Sequence, residues 1–416
     1  MPAEILVSTL RKLRSVIEGN EDNNLLDGTK GDDVIYAYGG ADWLWGHSGN
    51  DTLYGGDGTD SLIGGLGDDA LFGGEGNDWL DAAGGNDTFF GGSGIDTLSF
   101  ENVNTGLGVA IKIGQGTIMR GPPSTEIEFV SDDIERLIGT SFGDVLKGDA
   151  NANYLSGASG NDFLAGDDGN DYLNGDTGED TIFGGAGLDQ MAGGAGADTI
   201  FGGEGNFDYV NYAHSKGAIE VALADEGTSR NKGGDAEGDV LGSDIEWVTG
   251  SVYNDTITGN YANNDLSGFD GDDTVYGGGG DDRLYGDSTL AGHDTLYGGE
   301  GQDILIGGAG DDWLIGGNGS DVIVTGDGKD ILFFAPERVA ALGKGASVDR
   351  VTDFDTDGDK IDLKDFGYDD LDDLYAAGGQ IVGSSNGTYV YFDDSGQGVL
   401  LEGVSVGTID ESDFLF

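Results

Sequence analysis

The sequence predicts an all-β protein: a solenoid of short parallel strands, coil stacked on coil in three arrays, closed by a β-rich C-terminal module. Three observations carry this. Residues 46–99 read in blocks of nine: GHSGNDTLY, GGDGTDSLI, GGLGDDALF, GGEGNDWLD, AAGGNDTFF and GGSGIDTLS. Every block keeps Gly at place four, Asp at place six and an apolar residue at place eight. Glycine supplies 83 of 416 residues with only 4 prolines, so the richness belongs to turns rather than to a collagen period.

Within one block, place eight is apolar and its neighbours vary. That is a short strand burying one side chain. The Gly-rich half must turn, because only Gly takes positive φ without penalty. Two strands and two turns make a coil of eighteen residues. Stacking then buries one ladder through Leu53, Leu71 and Phe89 and a second through Leu62, Leu80 and Leu98. A single coil cannot bury its own core, so the array must be long.

The same geometry lines up acids. Asp51, Asp69 and Asp87 fall on one edge, and Asp60, Asp78 and Asp96 on the other. Neighbours in register lie about 4.8 Å apart. They repel by about 0.9 kcal/mol in water and about 3.5 kcal/mol at an effective dielectric of 20. A hard divalent cation between each pair reverses the sign, and turn carbonyls add oxygen ligands. Such a donor set suits Ca²⁺ rather than zinc or copper.

Tandem GGxGxDxLx resembles the RTX nonapeptide repeat, a parallel β-roll whose turns bind Ca²⁺ between coils. The resemblance implies that the place-six Asp residues and the turn carbonyls are the ligands.

Residues 1–18 form the only basic piece, with Arg11, Lys12 and Arg14. Leu6, Leu10, Leu13 and Ile17 could line one helical face. The preferred reading is an N-terminal cap on the first coil, the alternative a membrane-surface helix. No apolar core with a small-residue cleavage site of the secretory type is visible there. The first array, 19–99, opens on a degenerate block with Asn24 in place of Asp and adds Asp33 and Asp42 to the acidic series. Tyr36, Tyr54, Phe72 and Phe90 at place nine make a row on one sheet. Stacking along the ladder explains it more simply than a sugar or partner face.

Residues 100–138 break the period and contain Pro122-Pro123, which cannot sit inside a strand ladder. An alternating stretch, 108–113, reads as a strand, and Asp133-Ile134-Glu135 leads back to the repeats. The second array, 139–210, supplies Asp144, Asp162, Asp171, Asp180, Asp189 and Asp198, with Asn153 as a weakened position. An extra residue before Asp208 should end the register. A second insert, 211–249, mirrors the first: 218–223 alternates, and Asp244-Ile245-Glu246 stands 111 residues after Asp133-Ile134-Glu135. The paired inserts read as spacers or caps in a duplicated module. The third array, 250–334, carries Asp255, Asp273, Asp282, Asp294, Asp303, Asp312, Asp321 and Asp330, with Asn264 substituted and a loop expected at 288–291. Together the arrays predict about 12 to 18 calcium ions.

Residues 335–416 form the cap. Strands are expected at 348–354 and 359–363, a short helix at 370–377 with Leu371, Leu374 and Tyr375 inward, and a hairpin from 388–392 and 399–401. This tail, ending Asp413-Phe414-Leu415-Phe416, resembles the module that follows the repeats in proteins exported by type I (ABC) secretion. The stretch from Asp353 to Gly358 begins like an EF-hand loop, but its twelfth place is Lys364 instead of the bidentate Glu.

Composition narrows the function. Asp and Glu outnumber Lys and Arg by 79 to 18, a net charge of −61, which argues against nucleic acid or any polyanion as partner. There is no Cys, so calcium stands in for disulfides as the staple. No stretch reaches the roughly 20 apolar residues of a transmembrane helix. His47, His214 and His293 are scattered, with no HExxH, no GxSxG elbow and no Walker loop. His47 and His293 are expected on exposed turns. Repeats beginning near residue 19 leave no catalytic domain ahead of them, so no enzyme is expected. The reading is a secreted, extracellular or surface-associated calcium-binding protein. Its partners would be calcium ions, the type I secretion apparatus and a cell-surface or matrix component. The alternatives are a matrix or surface-layer adhesive role, and a carbohydrate-binding or polysaccharide-modifying module.

Overall fold

The computed structural model describes residues 14–81, 83–103, 109–114, 118–120, 127–205, 207–287, 291–336, 347–393 and 395–416. The chain forms two compact units, residues 1–189 and 190–416. Each is a parallel β-roll.

In the first unit the repeat strands pair in parallel with the strand one coil later. Leu53 lies beside Leu71 and Leu71 beside Phe89 on one sheet. Leu62 lies beside Leu80 and Leu80 beside Leu98 on the other. All six are fully buried. Place eight thus fills the interior, at about 1.5–3 kcal/mol per side chain. Leu71→Ala is expected to cost about 2–5 kcal/mol, since both flanking coils hold the cavity open. The denaturant midpoint of the calcium-loaded protein measures it. The place-nine aromatics stack as a ladder, with ring centres 4.8, 4.8 and 4.9 Å apart from Tyr36 through Tyr54 and Phe72 to Phe90.

The first insert does not interrupt the roll. Thr97–Ser99 pairs directly with Arg136–Ile138, which pairs with Tyr154–Ser156. On the opposite sheet Thr88–Ser93 pairs with Ile127–Val130. That strand continues by antiparallel pairing through Ile118–Arg120 to Val109–Lys112, which then stacks on Val145–Lys147. The insert is therefore a coil with one side enlarged into a meander. Pro122 and Pro123 lie outside the described residues.

The second unit follows the same plan. Tyr209–Asn211 pairs with Trp247–Thr249, and Glu220–Ala222 stacks on Thr256–Thr258. The expected tail elements appear as strands Val348–Val351 and Lys360–Asp362, helix Leu371–Ala376, and the antiparallel pair Gly387–Tyr391 and Gly398–Glu402. The first two strands extend the two sheets of the roll. In the helix only Leu374 is buried, whereas Tyr375 is exposed, because a six-residue helix offers little more than one inward position. At the N-terminus Ile17 lies in strand Ser15–Asn20 beside Ile35, not on a helix. Leu6, Leu10 and Leu13 are outside the described residues, as is most of the loop expected at 288–291.

Candidate metal centre

The place-six Asp residues are buried throughout both rolls. A carboxylate is taken out of water here because one oxygen is used as scaffold. Oδ1 accepts the backbone N–H of the place-six residue one coil earlier. Asp51 accepts from Asp33 at 2.7 Å, Asp69 from Asp51 at 2.7 Å, and Asp87 from Asp69 at 2.8 Å. On the other edge Asp60 accepts from Asp42, Asp78 from Asp60, and Asp96 from Asp78, at 2.8–2.9 Å. The pattern continues with Asp162, Asp171, Asp180 and Asp189, and with Asp273, Asp282, Asp294, Asp303, Asp312, Asp321 and Asp330. Asp198 joins the row through its N–H, which donates to Asp239 at 2.8 Å.

The second oxygen is different. Oδ2 of Asp42, Asp51, Asp60, Asp69, Asp78, Asp96, Asp162, Asp171, Asp273, Asp282, Asp294, Asp303, Asp312 and Asp330 is buried without a hydrogen-bond partner among the described residues. What faces it is another acceptor. A Cβ placed on Gly307 would sit 2.5 Å from Asp312 Oδ2 and 2.5 Å from the Thr325 carbonyl. A Cβ on Gly46 would meet Asp51 Oδ2 at 2.6 Å and the Gly64 carbonyl at 2.5 Å. A buried oxygen without a donor that shares such a space with a carbonyl calls for a cation. Among the described residues no three acidic or His side chains converge, so the remaining ligands must be turn carbonyls. That carboxylate-plus-carbonyl set fits calcium. Bound there, calcium would supply the positive charge that these rows lack.

The protonation equilibria carry the same message. Burial, reinforced by neighbouring carboxylates, pushes Asp69 and Asp273 up to about 8 from 3.8. Burial likewise raises Asp78, Asp162, Asp171, Asp282 and Asp294 to about 7. Hydrogen bonds from the preceding coil oppose the shift but are outweighed.

Three of the sequence-predicted ligands sit in turns of another kind. Both oxygens of Asp33 are engaged by Thr29, whose N–H donates to Oδ2 at 2.6 Å. In Asp144, Oδ2 takes the Thr140 N–H and Oδ1 the Val109 N–H. In Asp255, Ser251 and Ile219 do the same. Asn24, Asn153 and Asn264 accept the N–H four residues back in the same way. These turns carry Thr, Ser, Asn or Asp at place two without positive φ, and that backbone directs the N–H inward and satisfies the side chain with no ion. Asp69→Asn is therefore expected to lower the bound calcium per chain, and Asp33→Asn to leave it unchanged. Elemental analysis after gel filtration would measure both.

Several residues were missed by periodicity. Glu135 and Glu246 take over the scaffold role, accepting from Asp96 at 2.8 Å and Asp208 at 3.1 Å. Asp349 and Asp359 do so for Asp321 and Asp330. Asp133 grips the N–H groups of Gly91 and Gly92, Asp244 that of Gly203, and Asp353 those of Thr325 and Gly326. The repeated Asp-Ile-Glu triplet was the available signal.

A β-roll whose turns hold rows of buried carboxylates facing carbonyls is a repeat protein organised around divalent cations. The RTX calcium-binding nonapeptide repeat matches residues 18–98, 131–206 and 242–335, and the chain belongs to that family. Among solved structures it is similar to a subunit of the Azotobacter vinelandii mannuronan C5-epimerase. There the identity is 26%, the coverage 39% of this chain and 78% of the other, and the TM-score 0.20. It is also similar to the extracellular lipase LipA of Serratia marcescens, with 17% identity, coverage of 66% and 40%, and a TM-score of 0.26. A search of curated proteins finds no match.

Proposed function

We propose that this chain is a secreted, non-enzymatic calcium-binding protein that leaves the cell through a type I apparatus and folds outside it. The carrying observation is the buried carboxylate oxygens, such as those of Asp51, Asp69 and Asp78, that meet no donor among the described residues. Without a cation, each coil added to the roll brings another buried charge beside the last. With calcium at about ten times Kd, each site adds about 1.4 kcal/mol to the folded state. Extracellular-type sites have Kd of about 10⁻⁴–10⁻³ M. A calcium-poor cytosol then leaves the chain expanded and exportable, and calcium outside folds it.

The membership in a calcium-binding repeat family supports this reading. Among the described residues no helix is long and apolar enough to cross a membrane. The test is circular dichroism and hydrodynamic radius in chelator, followed by calcium titration with magnesium as control. A coil-to-β transition with compaction, specific to calcium, is expected. A chain already compact in chelator at pH 7.5 would overturn the proposal.

A further inference from the structure

On one sheet of the first unit, the place-nine residues Asp27, Trp45, Ile63 and Asp81 stand side by side on successive strands. Over Trp45, Ile63 and Asp81 opens a groove of about 570 Å³, bounded at its far end by Asn102. Two features of the groove are built at a cost to the fold.

The first is His47. It sits at place two with φ of 75°, where the next coil on that sheet has Gly65. A non-glycine residue there is strained, as Tyr38, Ala158, Asp167, Asp176 and Phe269 are at place two of other blocks, so the strain alone does not mark the groove. In return its ring stacks on Trp45 with centres 4.2 Å apart, and its Nε2 lies 2.6 Å from Asp27 Oδ1. The indole is thus held from one side, while the residue remains 49% exposed.

The second is Asp81, which is 3% exposed. Its Oδ2 accepts the Asn102 amide at 2.6 Å, and its Oδ1 has no partner among the described residues. Asp81 stands at place nine, outside the place-six rows, so the calcium turns do not account for it. A buried carboxylate oxygen in a groove wall asks for a donor from the occupant.

Trp45 and Asp81 are two strand spacings apart, about 9.6 Å, with the half-buried Ile63 between them. One small cation cannot touch both. The occupant needs a ring with an apolar face for the indole and, a ring further on, hydroxyl donors for Asp81. The charge of −61 disfavours an acidic ligand.

We propose that this groove binds a neutral oligosaccharide of at least two rings, stacked on Trp45 and hydrogen-bonded to Asp81 and Asn102. The site exists in the folded roll and so rests on the calcium-loaded state, which circular dichroism checks separately.

The test is calorimetric titration of the calcium-loaded full chain with neutral hexaoses of glucose, N-acetylglucosamine, mannose and galactose, with an oligogalacturonate as the charged control. At least one neutral hexaose is expected to bind. Trp45→Ala and Asp81→Asn should each weaken it by about tenfold or more. Trp313→Ala, at an exposed Trp of the other unit, should leave it unchanged. His47→Gly removes the strained backbone and should keep or raise the melting temperature while weakening the sugar. No heat from any neutral hexaose at millimolar concentration, equal binding by Trp45→Ala and Asp81→Asn, or preference for the charged oligomer would overturn the proposal. A response to added cation alone, lost in Asp81→Asn, would do the same.

Discussion

In chelator, lowering the pH from 7.5 to about 4.5 is expected to convert an expanded chain into compact β-structure with no metal present. The sign follows from the raised carboxylates. Asp69 and Asp273 titrate near 8 in the roll against 3.8 as the ordinary value, and Asp78, Asp162, Asp171, Asp282 and Asp294 near 7. Between 3.8 and about 8 the folded chain binds more protons than the unfolded one. Stability of the metal-free roll therefore falls as pH rises through that window. Many groups titrate together, so the summed effect is large even though each is partly solvent-screened. Protons at low pH and calcium at neutral pH neutralise the same rows. Circular dichroism and hydrodynamic radius at low protein concentration would follow the transition. A chain that stays expanded at pH 4.5 would show that the raised carboxylates are not what keeps the metal-free roll unfolded. Because the carboxylates of the expanded chain are already ionised at pH 7, calcium-coupled folding there should release few protons, whereas calcium binding to the acid-compacted roll should release them, a contrast measurable in buffers of different ionisation enthalpy.

The second large effect is expected from a single methyl group. Gly307→Ala places a Cβ 2.5 Å from both Asp312 Oδ2 and the Thr325 carbonyl, closer than any Cβ is tolerated. The methyl occupies the space between the two acceptors and pushes the neighbouring coils apart. Loss of that site and more than about 2 kcal/mol of stability are expected, the range of overpacked interiors. Gly84→Ala is the control, since its Cβ would meet only the Leu66 side chain at 3.5 Å. That variant should stay within about 1 kcal/mol of the parent. Calcium-dependent melting of the two variants reads both effects. Equal melting curves would mean that the place-one glycine is not needed to keep the space between acceptors open.

Much of this was legible in the sequence. Period nine sets one buried residue per half-coil, so Leu53, Leu71 and Phe89 could be assigned to one ladder and Leu62, Leu80 and Leu98 to the other before any coordinates. Asp at place six follows the same period, which is why two acidic rows were predictable. The aromatic row at place nine was likewise readable as stacking, because residues one coil apart must be neighbours.

What the period could not decide lies where bonding is non-local or the backbone changes hand. Asp33 looks like any other place-six Asp, yet Thr29 satisfies it. The difference is the direction of one N–H group, set by whether place two takes positive φ, as glycine or a residue such as His47 does. Residues 100–138 read as an interruption, and only pairing 39 residues apart, Thr97 beside Arg136, shows the roll passing through them. Glu135 replaces an Asp because its longer side chain reaches the Asp96 N–H across that enlarged coil. His47 read as an exposed turn residue, and stacking with bonding to a residue one coil back made it the support for Trp45. Sequence by itself determined the repeat, the core ladders and the acidic rows, since a fixed period maps residues directly onto faces. Tertiary structure decided which carboxylates are already satisfied and which await a cation, because that depends on donors brought in from other coils.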